Sequence, residues 1–299
     1  MTNEILSQCV RNDIDFQVDK LLKDIKASSR PLNLDEVRYL LRLEKEYYSN
    51  KDVGLIKETV HRLRVGRRIL IRSAGQLGSI IEKLKIKALF VPDKKRIYID
   101  DSLPQIKKRW AEAHEIGHSI IPWHMGMMQG DEERTLSLEC QYKLEAEANY
   151  AAGRLLFKGD QFKQRIINGN LQINDIINLA KEFGNSITST LYRTIEFLDK
   201  PGFGLISQHP FKNCDNEKPK IRYFLRSPDF ISCFSNVDSL DIFENVKKYC
   251  GNKSGIMGNG EITLRDNFNN KHCFYSETFF NHYYALTFGV LIGNHKKIQ

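Results

Sequence analysis

His114-Glu115-Ile116-Gly117-His118 sets two imidazoles and a carboxylate at a spacing with chemical consequences. The stretch from Arg109 to Ile121 consists of helix formers up to the second histidine, and no proline comes before Pro122. Residues four apart on a helix differ by about 40° of rotation and one turn of rise. His114 and His118 therefore point the same way, and two ring nitrogens can reach one zinc ion at about 2.0–2.1 Å each. Glu115, beside the pair, has the place of a general base acting on water. Ile116, Ile120 and Ile121 would bury the helix and shield the metal. Two ordinary histidines on an amphipathic helix would read the same, so the pentapeptide needs a further ligand.

A second acidic helix, Gln141 to Phe157, offers one. Its small residues Ala148, Ala151, Ala152 and Gly153 allow a very close approach to another element. Glu145 shares the face of Ala148, Asn149 and Ala152 at helical spacing, and a carboxylate packed so tightly needs a partner such as a metal ion. Glu147, turned about 200° from Glu145, is expected to face water. His124 is a rival third ligand, because a histidine six residues after His118 has the spacing of the motif HExxHxxGxxH. That motif turns on a glycine, where this chain has Ile121. Continued as helix, His124 would point about 240° away from His118. Pro122 leaves a turn possible, so His124 stays open beside Glu145.

His-Glu-Ile-Gly-His followed by Leu144-Glu-Ala-Glu-Ala-Asn-Tyr-Ala-Ala-Gly-Arg-Leu-Leu-Phe157 resembles the ImmA/IrrE family of metallopeptidases. The likeness extends over roughly residues 76–198 and includes a preceding hairpin and the Leu103-Pro104 lead-in. It departs at Phe157-Lys-Gly159, where many members have Met-Pro, and this touches no chemistry. The resemblance implies that His114, His118 and Glu145 hold Zn2+, that Glu115 is the catalytic base, and that the substrate is a protein, a transcriptional repressor. It also implies a GAF-like sensor module at the C-terminal end, for which no motif is present. Tyr150, His124 and Arg154 are candidates for stabilising an oxyanion.

The elements that must position these residues can be read outward from the motif. Ala88–Pro92 and Arg96–Asp100 read as two strands joined by the charged turn Asp93-Lys-Lys95, giving the site a sheet edge. Residues 1–75 read as a charged helical region, with helices over Glu36–Tyr48 and Leu55–Ile71, and Gln76–Leu84 as another short helix. Tyr47 and Tyr48 read as packing. After His118, Pro122 and the glycines of Met125–Asp131 are expected to end the helix in a loop, a rim or a connector. The acidic cluster Asp131-Glu-Glu133 has no fixed geometry and stays outside the site. Ile173–Phe197 reads as helix, turn at Gly184-Asn-Ser186, helix. Its second helix is amphipathic and poor in base, which favours packing over direct contact with DNA.

Lys200-Pro-Gly-Phe-Gly204 marks a boundary. Beyond it, strands are expected at Ile221–Leu225, Phe230–Phe234, Glu261–Arg265, His272–Phe280 and Tyr283–Ile292, with one helix from Leu240 to Tyr249. His209, His272, His282 and His295 are scattered and read as structural or exposed. The expected organisation is α+β: a helical region at 1–75, a mainly helical zinc-peptidase domain with a small hairpin sheet at 76–199, and a smaller α+β regulatory or recruitment domain at 200–299.

Composition sets outer limits. The chain has 299 residues, 41% hydrophobic, and 45 basic against 37 acidic side chains give a net charge of +8. The basic runs are dispersed, so DNA association is allowed without being favoured. The six cysteines form no CxxC pair, which fits free thiols in a reducing cytoplasm. The N-terminus lacks the basic start and apolar stretch of a signal peptide, and the longest apolar run, about eleven residues, is too short to span a bilayer. A soluble cytoplasmic zinc endopeptidase is the leading expectation. The alternative is a non-catalytic regulator, or a toxin–antitoxin-like protein, that binds protein or DNA around a vestigial metal site. The intact Glu115 argues against it, since a structural site has no use for that carboxylate.

Overall fold

The computed structural model describes residues 6–27, 30–48, 87–129, 138–167, 171–211 and 219–294. Two compact units divide the chain, Met1–Asp160 and Gln161–Gln299. The fold is α+β, with one sheet in each unit among the described residues.

In the first unit, α1 (Gln8–Asp24), α2 (Leu34–Leu41) and β1 (Glu44–Tyr48) precede the hairpin of β2 (Ala88–Val91) and β3 (Arg96–Asp100). The hairpin is antiparallel as expected, turning through Pro92–Lys94 and a left-handed Lys95. Then come α3 (Gln105–Ile120), α4 (Pro122–Gln129) and α5 (Leu138–Leu156). Both motif helices form where the sequence places them.

Two expectations for this unit are corrected. The helix over Glu36–Tyr48 stops at Leu41, because Arg42 takes a left-handed conformation (φ 55°) and closes it. Glu44–Tyr48 is instead a strand, pairing parallel to β3 in the order β1-β3-β2. Arg96 of β3 ties the pair by bonding to Glu44 and, at 3.0 Å, to Glu46. The loop expected after Ile121 begins as a helix: proline at the first position of α4 needs no hydrogen-bond partner for its nitrogen. The helices expected at Leu55–Ile71 and Gln76–Leu84, and the cluster Asp131–Glu133, lie outside the described residues.

Helix α3 is the unit's centre, packing on α5, on both hairpin strands and on α2. At Gly117 the two motif helices meet so closely that an added Cβ would lie 2.9 Å from the Ala148 carbonyl oxygen. Ala148, Ala151 and Ala152 are fully buried in this contact. Glu112, buried on α3, accepts from Arg38 Nε at 2.6 Å and Lys45 Nζ at 3.2 Å, which fixes α2 and β1 to the motif helix.

The second unit opens with α6 (Asp160–Ile167), whose first residue belongs to the unit before, α7 (Ile173–Phe183) and α8 (Ile187–Phe197). Next are β4 (Gly202–Ser207), β5 (Ile221–Arg226), α9 (Pro228–Cys233), α10 (Ser239–Tyr249), β6 (Gly255–Arg265), β7 (Lys271–Phe280) and β8 (Ala285–Asn294). The strands form one antiparallel sheet in the order β5-β4-β8-β7-β6. Alternation along β4 sends Phe203 and Leu205 into a core with α9 and α10. Gly204 faces Leu191 and Ile195 of α8 on the opposite side. The helix pair α7–α8 thus packs on the sheet, with Glu277 of β7 accepting from the Ile173 backbone N–H at 2.6 Å. Phe230–Phe234, expected as a strand, is mostly helix α9, capped by Ser227, whose hydroxyl accepts from the Phe230 N–H. The Lys200–Gly204 stretch, read as a boundary, runs into a fully buried strand, Gly202–Ser207.

Candidate metal centre

The two-histidine face of α3 meets α5 where Gly117 lets the helices touch. His114 Nε2 and His118 Nε2 lie 3.3 Å apart. Glu145 of α5 closes the group, with Oε2 3.3 Å from His114 Nε2 and Oε1 3.7 Å from His118 Nε2. One ligand atom from each residue lies within 4.8 Å of the others, and these three are the only such group among the described residues. Four donors around a tetrahedral zinc at about 2.0–2.1 Å stand roughly 3.3–3.4 Å apart. The 3.3 Å between the ring nitrogens matches that spacing, and the 3.3 and 3.7 Å to the two Glu145 oxygens lie near it.

The other ring nitrogens are engaged elsewhere. His114 Nδ1 is 3.1 Å from Asn149 Oδ1, and His118 Nδ1 is 2.9 Å from His124 Nδ1. Such outer contacts orient imidazole ligands. The group is closed on the α3 side and open at Glu145, whose side chain is 44% exposed against 6% for His118.

Charge states follow from the surroundings. Burial pushes His118 down to about 4, against a partial pull from Glu145, so its ring is neutral near neutral pH. Burial also opposes the charged form of His114, but the hydrogen bond to Glu145 and the charges of Glu115 and Glu145 outweigh it and raise its pKa. The Glu145 carboxyl, despite burial, is held well below the usual range by His114 and His118. An ionised carboxylate and a neutral imidazole are the forms that bind a metal.

Glu115 is buried on α3. The Tyr48 phenol is raised by burial and by the charges of Asp100 and Glu115, so β1 brings a polar group towards the carboxylate. Tyr48, read from sequence as packing, does pack on Val91 and Tyr98, and it also faces that charge.

Two other expectations meet the coordinates here. Glu147 does not face water: it is 4% exposed and accepts from Trp123 Nε1 at 2.6 Å and pairs with His124 Nε2 at 2.8 Å. Helix α4 covers that side of α5, which rotation about one helix axis cannot reveal. The turn left possible at Pro122 does occur. Ile121 is extended (φ −85°, ψ 111°) and His124 swings back against His118, but at Nδ1, away from the three converging atoms. Of the oxyanion candidates, Tyr150 donates to Asp15 at 3.0 Å and Arg154 sits among Asp15, Asp19 and Asp160. Both fasten α5 to its surroundings.

Comparison with known proteins adds the following. No curated protein matches the chain. A solved structure described as a Mycobacterium tuberculosis transcriptional regulator shares its fold, with a TM-score of 0.52, 13% identity, and coverage of 94% of this chain and 88% of that one. Residues 80–194 match the family model Peptidase_M78, the IrrE N-terminal-like domain. That stretch holds both motif helices, and its match agrees with the ImmA/IrrE resemblance read from the sequence.

Proposed function

We propose that this protein is a zinc-dependent endopeptidase that hydrolyses a peptide bond of a protein substrate. The observation that carries the reading is the convergence of His114, His118 and Glu145 beside Glu115, inside a stretch that matches a peptidase family. His114 Nε2, His118 Nε2 and a Glu145 oxygen would hold the ion. Zinc, when bound, supplies Lewis acidity towards a carbonyl and acidifies water. Glu115 takes the proton from the attacking water and returns it to the leaving amine. Its burial near the Tyr48 ring keeps bulk water away from that transfer.

The substrate class is a transcriptional repressor, as the family resemblance implies. Residues 200–299 serve regulation or substrate recruitment. Among the described residues no helix is long and apolar enough to cross a membrane, and the reading places the protein in the cytoplasm.

Glu115→Gln tests the base. The amide fills the same space but accepts no proton, so zinc content should persist while cleavage of a verified repressor falls by about 10²–10⁴-fold. Equal turnover by variant and parent would remove Glu115 from the mechanism.

The second reading, a regulator that binds protein or DNA, draws on the fold shared with a transcriptional regulator. Helix α8 gives DNA little to meet. Its arginine, Arg193, is buried and bonded to Glu196 at 2.5 Å, and its apolar face is spent on the sheet. Zinc-bearing protein that binds a repressor without cutting it would favour this second reading.

A further inference from the structure

We infer that His124 and Glu147 are positioning residues: a buried carboxylate–imidazole chain that fixes His118 in the tautomer able to ligate a metal. The inference rests on the zinc-site reading above and concerns two residues that the reading leaves without a role.

The chain runs Glu147 Oε2, His124 Nε2 at 2.8 Å, then His124 Nδ1 to His118 Nδ1 at 2.9 Å. All three side chains are nearly sealed from solvent, at 5%, 0% and 6% exposure. A hydrogen bond from Nδ1 to Nδ1 needs one donor and one acceptor, and distance alone does not say which is which. Glu147 decides it. An ionised carboxylate only accepts, so His124 carries its proton on Nε2. A His124 ring with that single proton is bare at Nδ1 and can only accept there. His118 must donate from Nδ1, which leaves its Nε2 lone pair free. Nε2 is the atom that faces His114 and Glu145.

Trp123 strengthens the direction of the chain. An indole N–H is a donor only, and it reaches the same Glu147 oxygen at 2.6 Å. Two donors on one oxygen hold the carboxylate in place. Pro122 provides the route, because α4 starts immediately after the extended Ile121 and brings Trp123 and His124 back over α5. Helix α5 therefore supplies Glu145 towards the ligand side of His118 and Glu147 towards its far side. Outer partners of this kind change metal affinity by about 10–100-fold when removed.

The test uses the full-length protein with zinc affinity measured by chelator competition, and ring ¹⁵N shifts of His118 recorded without metal. The parent should show His118 protonated at Nδ1 and bare at Nε2. His124→Phe should bind zinc about 10–100-fold more weakly. Glu147→Gln, nearly isosteric and able to donate, should keep the fold, weaken zinc binding and move His118 towards the Nε2-protonated tautomer. A role in packing alone would leave the tautomer unchanged in Glu147→Gln. A parent proton on Nε2, or unaltered affinity and tautomer in folded Glu147→Gln, would overturn the inference. His114→Ala is the control: it should abolish tight binding whatever the fate of His124. Unaltered affinity in His114→Ala would strike the zinc-site reading itself, and the inference with it.

Discussion

Glu145 is the most exposed of the three converging side chains, yet its carboxyl is the one held furthest towards ionisation. Burial works against the charge, and the two imidazoles more than offset it. In the proposed centre, an open carboxylate that stays charged suits a ligand past which substrate must arrive. It also separates Glu145 from its rivals experimentally. On the proposed reading, Glu145→Ala removes a donor from the ion, whereas His124→Ala removes support for another donor. Glu145→Ala should therefore weaken zinc binding by more than the roughly 10–100-fold expected of an outer partner. Chelator competition on the two variants ranks them. A large loss for His124→Ala with little change for Glu145→Ala would reverse the ligand assignment.

At the scale of elements, the site depends on how near α5 comes to α3. Alanine at Gly117 would favour the helix by about 1 kcal/mol. Its Cβ would, however, stand 2.9 Å from a backbone oxygen and 3.3 Å from Ala151 Cβ, where no flexible side chain can give way. Overpacking of that kind costs about 1–3 kcal/mol, so the crossing should win. Gly117→Ala is expected to lower stability in thermal unfolding and to weaken zinc binding, since Glu145 retreats with α5. Gly126→Ala, on α4, is the opposite case. A Cβ there meets nothing within 4 Å, and the helix should gain about 0.5–1 kcal/mol.

The same scale shows what the residues disclose about themselves. The motif helices, the hairpin and the two-histidine face follow from spacing within a few turns of chain, while spacing left Glu145 open beside His124 and the family resemblance favoured it. The strand Glu44–Tyr48 was not legible, because its partner Arg96 lies 52 residues away from Glu44. Local spacing there suits a helix, and pairing across the sheet overrides it. Helix α9 did leave a signal, Ser227-Pro228-Asp229, a capping residue followed by proline and acid. The aromatics after it masked that signal. The burial of Glu147 left none on its own helix, because α4 covers it and the sequence of α4 reads as a turn.

For the whole molecule, the two compact units divide chemistry from the larger sheet. His114, Glu115, His118, Glu145, His124 and Glu147 all belong to Met1–Asp160. Gln161–Gln299 has its own core, in which Phe274 is fully buried with its ring 5.9 Å from Phe203, 5.7 Å from Phe230 and 5.1 Å from Phe234. Units with separate cores can unfold separately. Phe274→Ala removes a ring from that packing and should cost about 3–5 kcal/mol there. Calorimetry should then show one transition displaced to lower temperature and a second one unmoved. Zinc affinity, measured below both transitions, should equal that of the parent. A regulatory role for residues 200–299 adds a further expectation, that cleavage of the repressor changes while metal binding does not. Loss of zinc from the folded Phe274→Ala protein would show instead that the second unit helps to build the centre.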